Sequence, residues 1–213
     1  MDQACTIIFK CILYESAQIN VIWVFNVEIK MLQIFRVLLT LFLVFSLGIA
    51  SSALPRDPAK FFYEQTLGDL TDDLQDAKDK GKKGVLVFFH QEECPFCHRM
   101  KTTIMNQVKV QEYYQKRFLI LEIDIESAGE IVAFDGSTTT MKKYFSKIAN
   151  NKGATPVFAF FDLQGKLVVR YTGATSGAKE FIWLGEYASE QIYKKMTFSR
   201  YKRVKRKEER AAR

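Results

Sequence analysis

Along residues 70–196 the apolar positions alternate between two periods, and each change marks a new element. Leu70, Leu74 and Ala77 recur three to four residues apart, the spacing of one helix face. The flanks agree: Thr71 can cap, Asp72 and Asp73 suit the positive end, Lys78 and Lys80 suit the negative end, and Gly81 stops the helix. Val85–Phe89, after Gly84, is a continuous apolar run, as expected of a strand buried on both faces. Cys97, Met100, Ile104 and Val108 return to helical spacing, with Arg99 and Lys101 outside and Pro95 in a first turn. Phe118–Ile125 predicts a second buried strand, and residues 126–140 read as an insertion or long loop. Residues 140–150 predict a helix. Thr155–Asp162 and Lys166–Tyr171 predict a hairpin that turns at 163–165. Phe181, Leu184, Ala188 and Ile192 mark a C-terminal amphipathic helix. This order predicts an α/β fold, with a mixed central β-sheet flanked by helices on both faces.

With 213 residues, 48% of them hydrophobic, the chain can bury the core of one globular domain. The net charge of +7 would suit a nucleic-acid binder, but its distribution argues against one. Residues 194–213 hold ten Lys or Arg and two Glu, so the rest of the chain is close to neutral. The basicity belongs to a C-terminal tail, 199–213, which reads as a solvated or frayed helix end. A weak contact with a membrane surface or an acidic partner is its functional alternative.

Upstream, Lys30 and Arg36 precede Val37–Ile49, thirteen nearly all apolar residues, followed by small residues at 50–53 and Leu54-Pro55. This is the layout of a secretory signal peptide over 31–53. It is shorter than the ~20 residues of a spanning helix, and an uncleaved anchor is the alternative. Met31 sits where such a peptide would begin, so residues 1–30 read as a non-native N-terminal extension. The expected location is the periplasm, membrane-anchored if the segment stays uncleaved. Cys5 and Cys11 fall in the removed part, which leaves Cys94 and Cys97 as the cysteines of an exported domain over 54–198. A lone C-x-x-C in an oxidising compartment points to redox work.

The stretch HQEECPFCH at 90–98 fits three chemistries: a redox dithiol, a c-type haem attachment and part of a zinc site. The surrounding residues resemble a known family. VLVFFHQEECPFC, the Thr155-Pro156 that opens the hairpin, and Asp162-Leu-Gln-Gly-Lys166 resemble the thioredoxin-like superfamily over about residues 68–196. Phe134–Gly136, the TPVFAFFD stretch and the closing EFIWLGEYASEQIYKKMTFSRY are similar to its exported, periplasmic SoxW-like group, which is associated with bacterial sulfur oxidation. The resemblance implies the thioredoxin fold and a cis Pro156, with the Thr155 backbone beside Cys94 to hold a substrate strand.

For the dithiol reading, Cys94 lies at a helix N-terminus, where unpaired N–H groups and the helix dipole favour a thiolate. That thiolate attacks a disulfide, and Cys97, shielded one turn inside, resolves the mixed disulfide. Haem attachment needs an axial ligand and an apolar pocket, and a buried strand running straight into the motif is the wrong setting. A structural zinc site needs four ligands, whereas the exported chain offers two Cys and two His. The expected cofactor is therefore none beyond the Cys94–Cys97 disulfide.

Departures from the thioredoxin pattern matter as well. The buried Asp six residues before the first cysteine is Phe88 here, its Lys partner on the next strand aligns with about Ile120, and the preceding Trp is Glu93. Water, His90 or a nearby carboxylate would have to handle the Cys97 proton. His90, Glu92, Glu93, Pro95 and Phe96 are candidates for tuning the thiols, since negative charge beside a forming thiolate disfavours it. The plain alternative for Glu92 and Glu93 is a solvated loop. By resemblance the protein is a thiol:disulfide reductase of cysteine-containing periplasmic proteins, recharged by a membrane thiol-electron transporter. A periplasmic disulfide oxidase or isomerase and a non-catalytic binding module are the alternatives.

Overall fold

In the computed structural model, Gly84–His90 (β1) is the strand on which the architecture depends, because both of its faces are covered. The structure describes residues 54–212, together with 33 and 35–39, of which 35–39 form an exposed helical turn. The 1–30 extension, Cys5, Cys11 and most of the 31–53 signal segment lie outside the described residues. Among the described residues, no helix is long and apolar enough to cross a membrane.

Three further strands complete the sheet: Phe118–Asp124 (β2), Val157–Phe161 (β5) and Leu167–Thr172 (β6). Their spatial order is β2-β1-β5-β6, with β1 parallel to β2 and antiparallel to β5, and β5 antiparallel to β6. The sheet is mixed, and helices cover both faces. Alternation along β1 divides the core between them. Leu86 and Phe88 face one cluster with Phe158, Phe160 and Phe181, whereas Val85, Val87 and Phe89 face another with Leu74, Tyr144 and Phe145.

The first face is covered by Pro58–Phe61 (α1), Pro95–Met100 (α3), Val108–Gln115 (α4) and Ala178–Ser189 (α6). The second is covered by Leu70–Asp79 (α2) and Met141–Ile148 (α5). Asp69 caps α2, accepting from the Thr71 and Asp72 backbone N–H groups at 2.8 and 3.3 Å, so the cap lies two residues earlier than the sequence suggests. Two close approaches require glycine. A Cβ on Gly84 would lie 2.2 Å from the Phe161 carbonyl oxygen, and one on Gly185 would lie 2.9 Å from the Tyr114 ring.

Two segments differ from the sequence reading. Residues 126–140, expected as a loop, contain a small hairpin of Glu130–Val132 (β3) and Thr138–Thr140 (β4), with Ile131 buried. Strands of three residues are too short to show a period. The basic C-terminal stretch forms Phe198–Ala211 (α7), capped by the Thr197 hydroxyl, which accepts from Arg200 N–H at 3.4 Å. Tyr201 is buried beneath it. Lys202 and Arg206 reach Glu180 at 2.8 and 3.6 Å, and Lys205 reaches Glu186 at 3.1 Å. A buried carboxylate needs a paired charge, so this stretch docks on α6 instead of fraying into solvent.

Candidate active site

β1 ends at His90, and a short loop of Gln91, Glu92 and Glu93 carries the chain into α3. Cys94 is the N-cap of that helix, and its Sγ accepts from the Cys97 backbone N–H at 3.1 Å. A helix opening leaves such donors without intrahelical partners, so a sulfur placed there meets positive charge. Pro95 occupies the first turn, where its missing N–H costs nothing. Cys94 and Cys97 are joined by a disulfide, with their Cα atoms 5.2 Å apart. Cys94 is 7% exposed and Cys97 1%. After reduction, therefore, only Cys94 offers a sulfur to a partner, and Cys97 stays behind it.

The Thr155–Pro156 peptide bond is cis. Continuing the β1–β5 register past Phe89↔Val157 sets these residues against the loop before Cys94. The Thr155 hydroxyl donates to Gln91 Oε1 at 2.9 Å, and Gln91 Nε2 donates to Glu126 at 3.1 Å. The loop is thus strapped to both flanking segments. Pro156 is buried, and its carbonyl accepts from Gly173 N–H at 2.8 Å. Glu92 and Glu93 are exposed, and among the described residues no side-chain hydrogen bond or ion pair reaches either. Phe96 is 59% exposed, an apolar surface beside Cys94. His98 is also exposed.

Behind Cys97 the environment is different. Phe88 is fully buried, with the Tyr63 ring stacked at 6.0 Å, the His90 ring at 5.5 Å and the Lys101 ammonium at 5.8 Å from its centroid. In the parallel register Phe88 faces Glu122, while Ile120 faces Leu86. The residue beside Phe88 on β2 is thus Glu122, and Ile120, two positions earlier, is core. Glu122 Oε1 lies 3.0 Å from His90 Nε2 and forms an ion pair with Lys101 Nζ. Burial pushes the Glu122 carboxyl up, but His90 and Lys101 outweigh it and hold the group below the ordinary carboxylate value. Lys101 opens a five-residue π-helical turn, Lys101–Met105, that continues α3. The phenol of Tyr63 donates to Met105 Sδ at 3.2 Å, and burial first, then Glu122, raises its pKa well above the ordinary value.

The sequence reading missed Glu122, Lys101 and Tyr63. One signal was available: Glu122 interrupts the apolar run Phe118–Ile123, and a carboxylate inside a buried strand needs partners.

Comparison with known proteins agrees with this geometry. The thioredoxin-like domain family matches residues 70–189, more than half of the chain. Among solved structures, a thioredoxin-fold protein from Helicobacter pylori aligns at 18% identity and a TM-score of 0.50, covering 60% of this chain and 86% of that one. The reduced C-terminal domain of DsbD from Neisseria meningitidis aligns at 17% identity and a TM-score of 0.42, covering 56% and 93%. The DsbH oxidoreductase aligns at 14% identity and a TM-score of 0.46, covering 66% and 95%. No curated protein matches the chain. The mixed sheet, the C-x-x-C at the start of α3 and the family match together place the chain in the thioredoxin-like family, as a thiol–disulfide oxidoreductase whose redox pair is Cys94 and Cys97.

Proposed function

We propose that the protein is an exported reductase of protein disulfides. A substrate segment runs along the Thr155 backbone and over Phe96, and presents its disulfide to Cys94. The Cys94 thiolate attacks one substrate sulfur, a mixed disulfide forms, and the other substrate sulfur leaves as a thiolate. Cys97 then attacks Cys94 Sγ. The second substrate thiol is released, and the Cys94–Cys97 disulfide carries away the two electrons' worth of oxidation. A membrane thiol-electron transporter returns two electrons to the pair, with no cofactor beyond it. The substrates are cysteine-containing periplasmic proteins, a sulfur carrier among them.

The observation that carries the direction is the sparse support around the Cys94 sulfur. Strong oxidants of this fold are oxidising because their reduced form is stabilised. Here one backbone N–H, that of Cys97, reaches Cys94 Sγ, and two exposed carboxylates precede it in sequence. Beyond the helix N-terminus itself, such surroundings add little stabilisation to a thiolate and favour giving electrons away. Equilibration of the Cys94–Cys97 pair with glutathione buffers tests this: the expected potential is close to that of thioredoxin, about −270 mV. A potential near the about −120 mV of the strong-oxidant extreme would assign disulfide formation instead. Insulin reduction by wild type and its loss in Cys94→Ser is the matching activity test, and no reduction by wild type would leave a binding module.

A further inference from the structure

Resolution by Cys97 needs a proton to leave a thiol that bulk water barely reaches. Cys97 is 1% exposed, and only a deprotonated thiol attacks a disulfide. One opening reaches it: a cavity of about 220 Å³ lined by His90, Gln91, Glu92, Cys97, His98, Lys101 and Asp124. A second cavity of about 410 Å³ shares Lys101 and His98 with the first and is also lined by Tyr63, Thr102, Asn106 and Glu122 with residues 55–59. His90 borders the first cavity, Glu122 borders the second, and Lys101 and His98 border both. The 3.0 Å His90–Glu122 contact therefore joins the linings of the two cavities.

The state of the His90 ring supports a transfer role. Nε2 faces Glu122, while Nδ1 is buried without a hydrogen-bond partner. A buried, unpaired ring nitrogen is costly, and one that can take and return a proton has a use. The charged or titratable groups nearest it in chain and cavity lining border the same two cavities. They are Glu122 and Asp124 from β2, Lys101 and His98 from α3 and the π turn, Glu92 from the loop, and Tyr63 behind Phe88. Glu122 is the one that touches both His90 and Lys101.

We propose that His90, Glu122 and Lys101 form the proton relay of Cys97, with His90 exchanging the proton across the small cavity and Glu122 and Lys101 positioning and balancing it. The assignment rests on the thiol-exchange reading above. In the resolving step, Cys97 Sγ–H gives its proton through cavity water to the neutral His90 ring, which becomes an imidazolium against the Glu122 carboxylate. The Cys97 thiolate forms the bond to Cys94 Sγ, the Cys94–substrate S–S bond breaks, and its electron pair leaves on the substrate sulfur. That sulfur takes up a proton from solvent, and His90 returns its own to the water of the small cavity. Lys101 keeps Glu122 ionised, so the carboxylate orients the ring and stabilises its charge without competing for the proton.

The test separates the two steps of exchange. Single-turnover measurements on the full chain follow formation of the mixed disulfide and then its resolution across pH, in wild type, His90→Ala and Glu122→Gln. General acid–base help of this kind is worth ~10²–10⁴-fold. Both variants are expected to slow resolution at neutral pH by at least about tenfold and to move its pH dependence toward that of an unassisted buried thiol. Iodoacetamide alkylation of Cys94 in a Cys97→Ser background should keep its rate. Added imidazole should recover resolution in His90→Ala, since deletion of the ring leaves a space beside the cavity, and not in Glu122→Gln. An unchanged resolution pH profile in His90→Ala, with the native melting temperature kept, would overturn the relay. If Glu122→Gln does not fold, His90→Ala with and without imidazole decides alone. Loss of the thiol-exchange reading itself appears separately, as no insulin reduction by wild type.

Discussion

The two faces of the central sheet are built from alternate residues of the same strand and differ in what they leave at their edge. Val85, Val87 and Phe89 face a cluster closed by Leu70, Leu74, Tyr144, Phe145 and Ile148, and the Lys147–Asp135 ion pair beside it, at 3.0 Å, is exposed. Leu86 and Phe88 face an aromatic cluster that ends in Cys97, His90, Glu122 and Lys101. The difference is one of register. Where Phe89 meets apolar neighbours, Phe88 meets a carboxylate across β2. One face is organised for stability alone, and the other gives up apolar closure beneath the disulfide to hold charge there.

The largest test of that contrast is a matched pair of truncations. Phe88→Ala and Phe89→Ala each remove a fully buried ring and are expected to cost about 3–5 kcal/mol in urea unfolding. Phe88→Ala alone should also change the pH dependence of resolution, because it unseats the rings of Tyr63 and His90. Equal effects of the two on the exchange step would erase the distinction between the faces. Next in size is Gly84→Ala, whose methyl would press on the Phe161 backbone carbonyl. Overpacking against a backbone that cannot yield is expected to cost about 3 kcal/mol, read as a lowered unfolding midpoint.

On the active-site face, α7 contributes through Glu180. Burial raises this carboxyl, but Lys202 and Ser176 outweigh it and hold its pKa below the ordinary value. A carboxylate depressed in the folded state binds protons first in the unfolded chain as pH falls. Its stabilisation is therefore complete above the unfolded value of about 4.3 and is lost as pH drops through the folded one. Glu180→Gln is expected to cost about 1.5–3 kcal/mol at pH 7 and to converge with wild type in acid, as thermal unfolding across pH would show. A gap that stayed constant with pH would mean that packing, not charge, is responsible. The smallest effect belongs to the opposite face. Asp69→Ala removes the α2 cap and should cost about 1 kcal/mol of stability, with no change in insulin reduction.

How much of this could be read from the sequence follows the range of the interactions. The strand before the cysteines, the helix after them and the hairpin of β5 and β6 rest on local periods and turn residues, and those elements appear where the sequence places them. Cys94 and Cys97 were legible because their spacing is itself the signal. Glu122 was not, because its position beside Phe88 depends on a parallel register between strands 34 residues apart. The docking of α7 was hidden for another reason. Its composition is that of a solvated helix, and only the buried carboxylate of Glu180, on a different helix, reveals why its lysines are held. The β3–β4 hairpin escaped because six residues of short strand carry too little pattern.

The central place of β1 also affects the nascent chain. GVLVFFH is seven residues of high strand propensity with no Asp, Glu, Lys or Arg, the composition that forms intermolecular sheet when left unpaired. One edge of β1 pairs with β2, but the other waits for β5, whose first residue lies more than sixty positions downstream. Until Val157–Phe161 arrives, that edge is a template for any other copy of the same strand. The feature that seats the cysteines thus makes this stretch an aggregation liability, and a chaperone holding the unfolded protein would have reason to cover it.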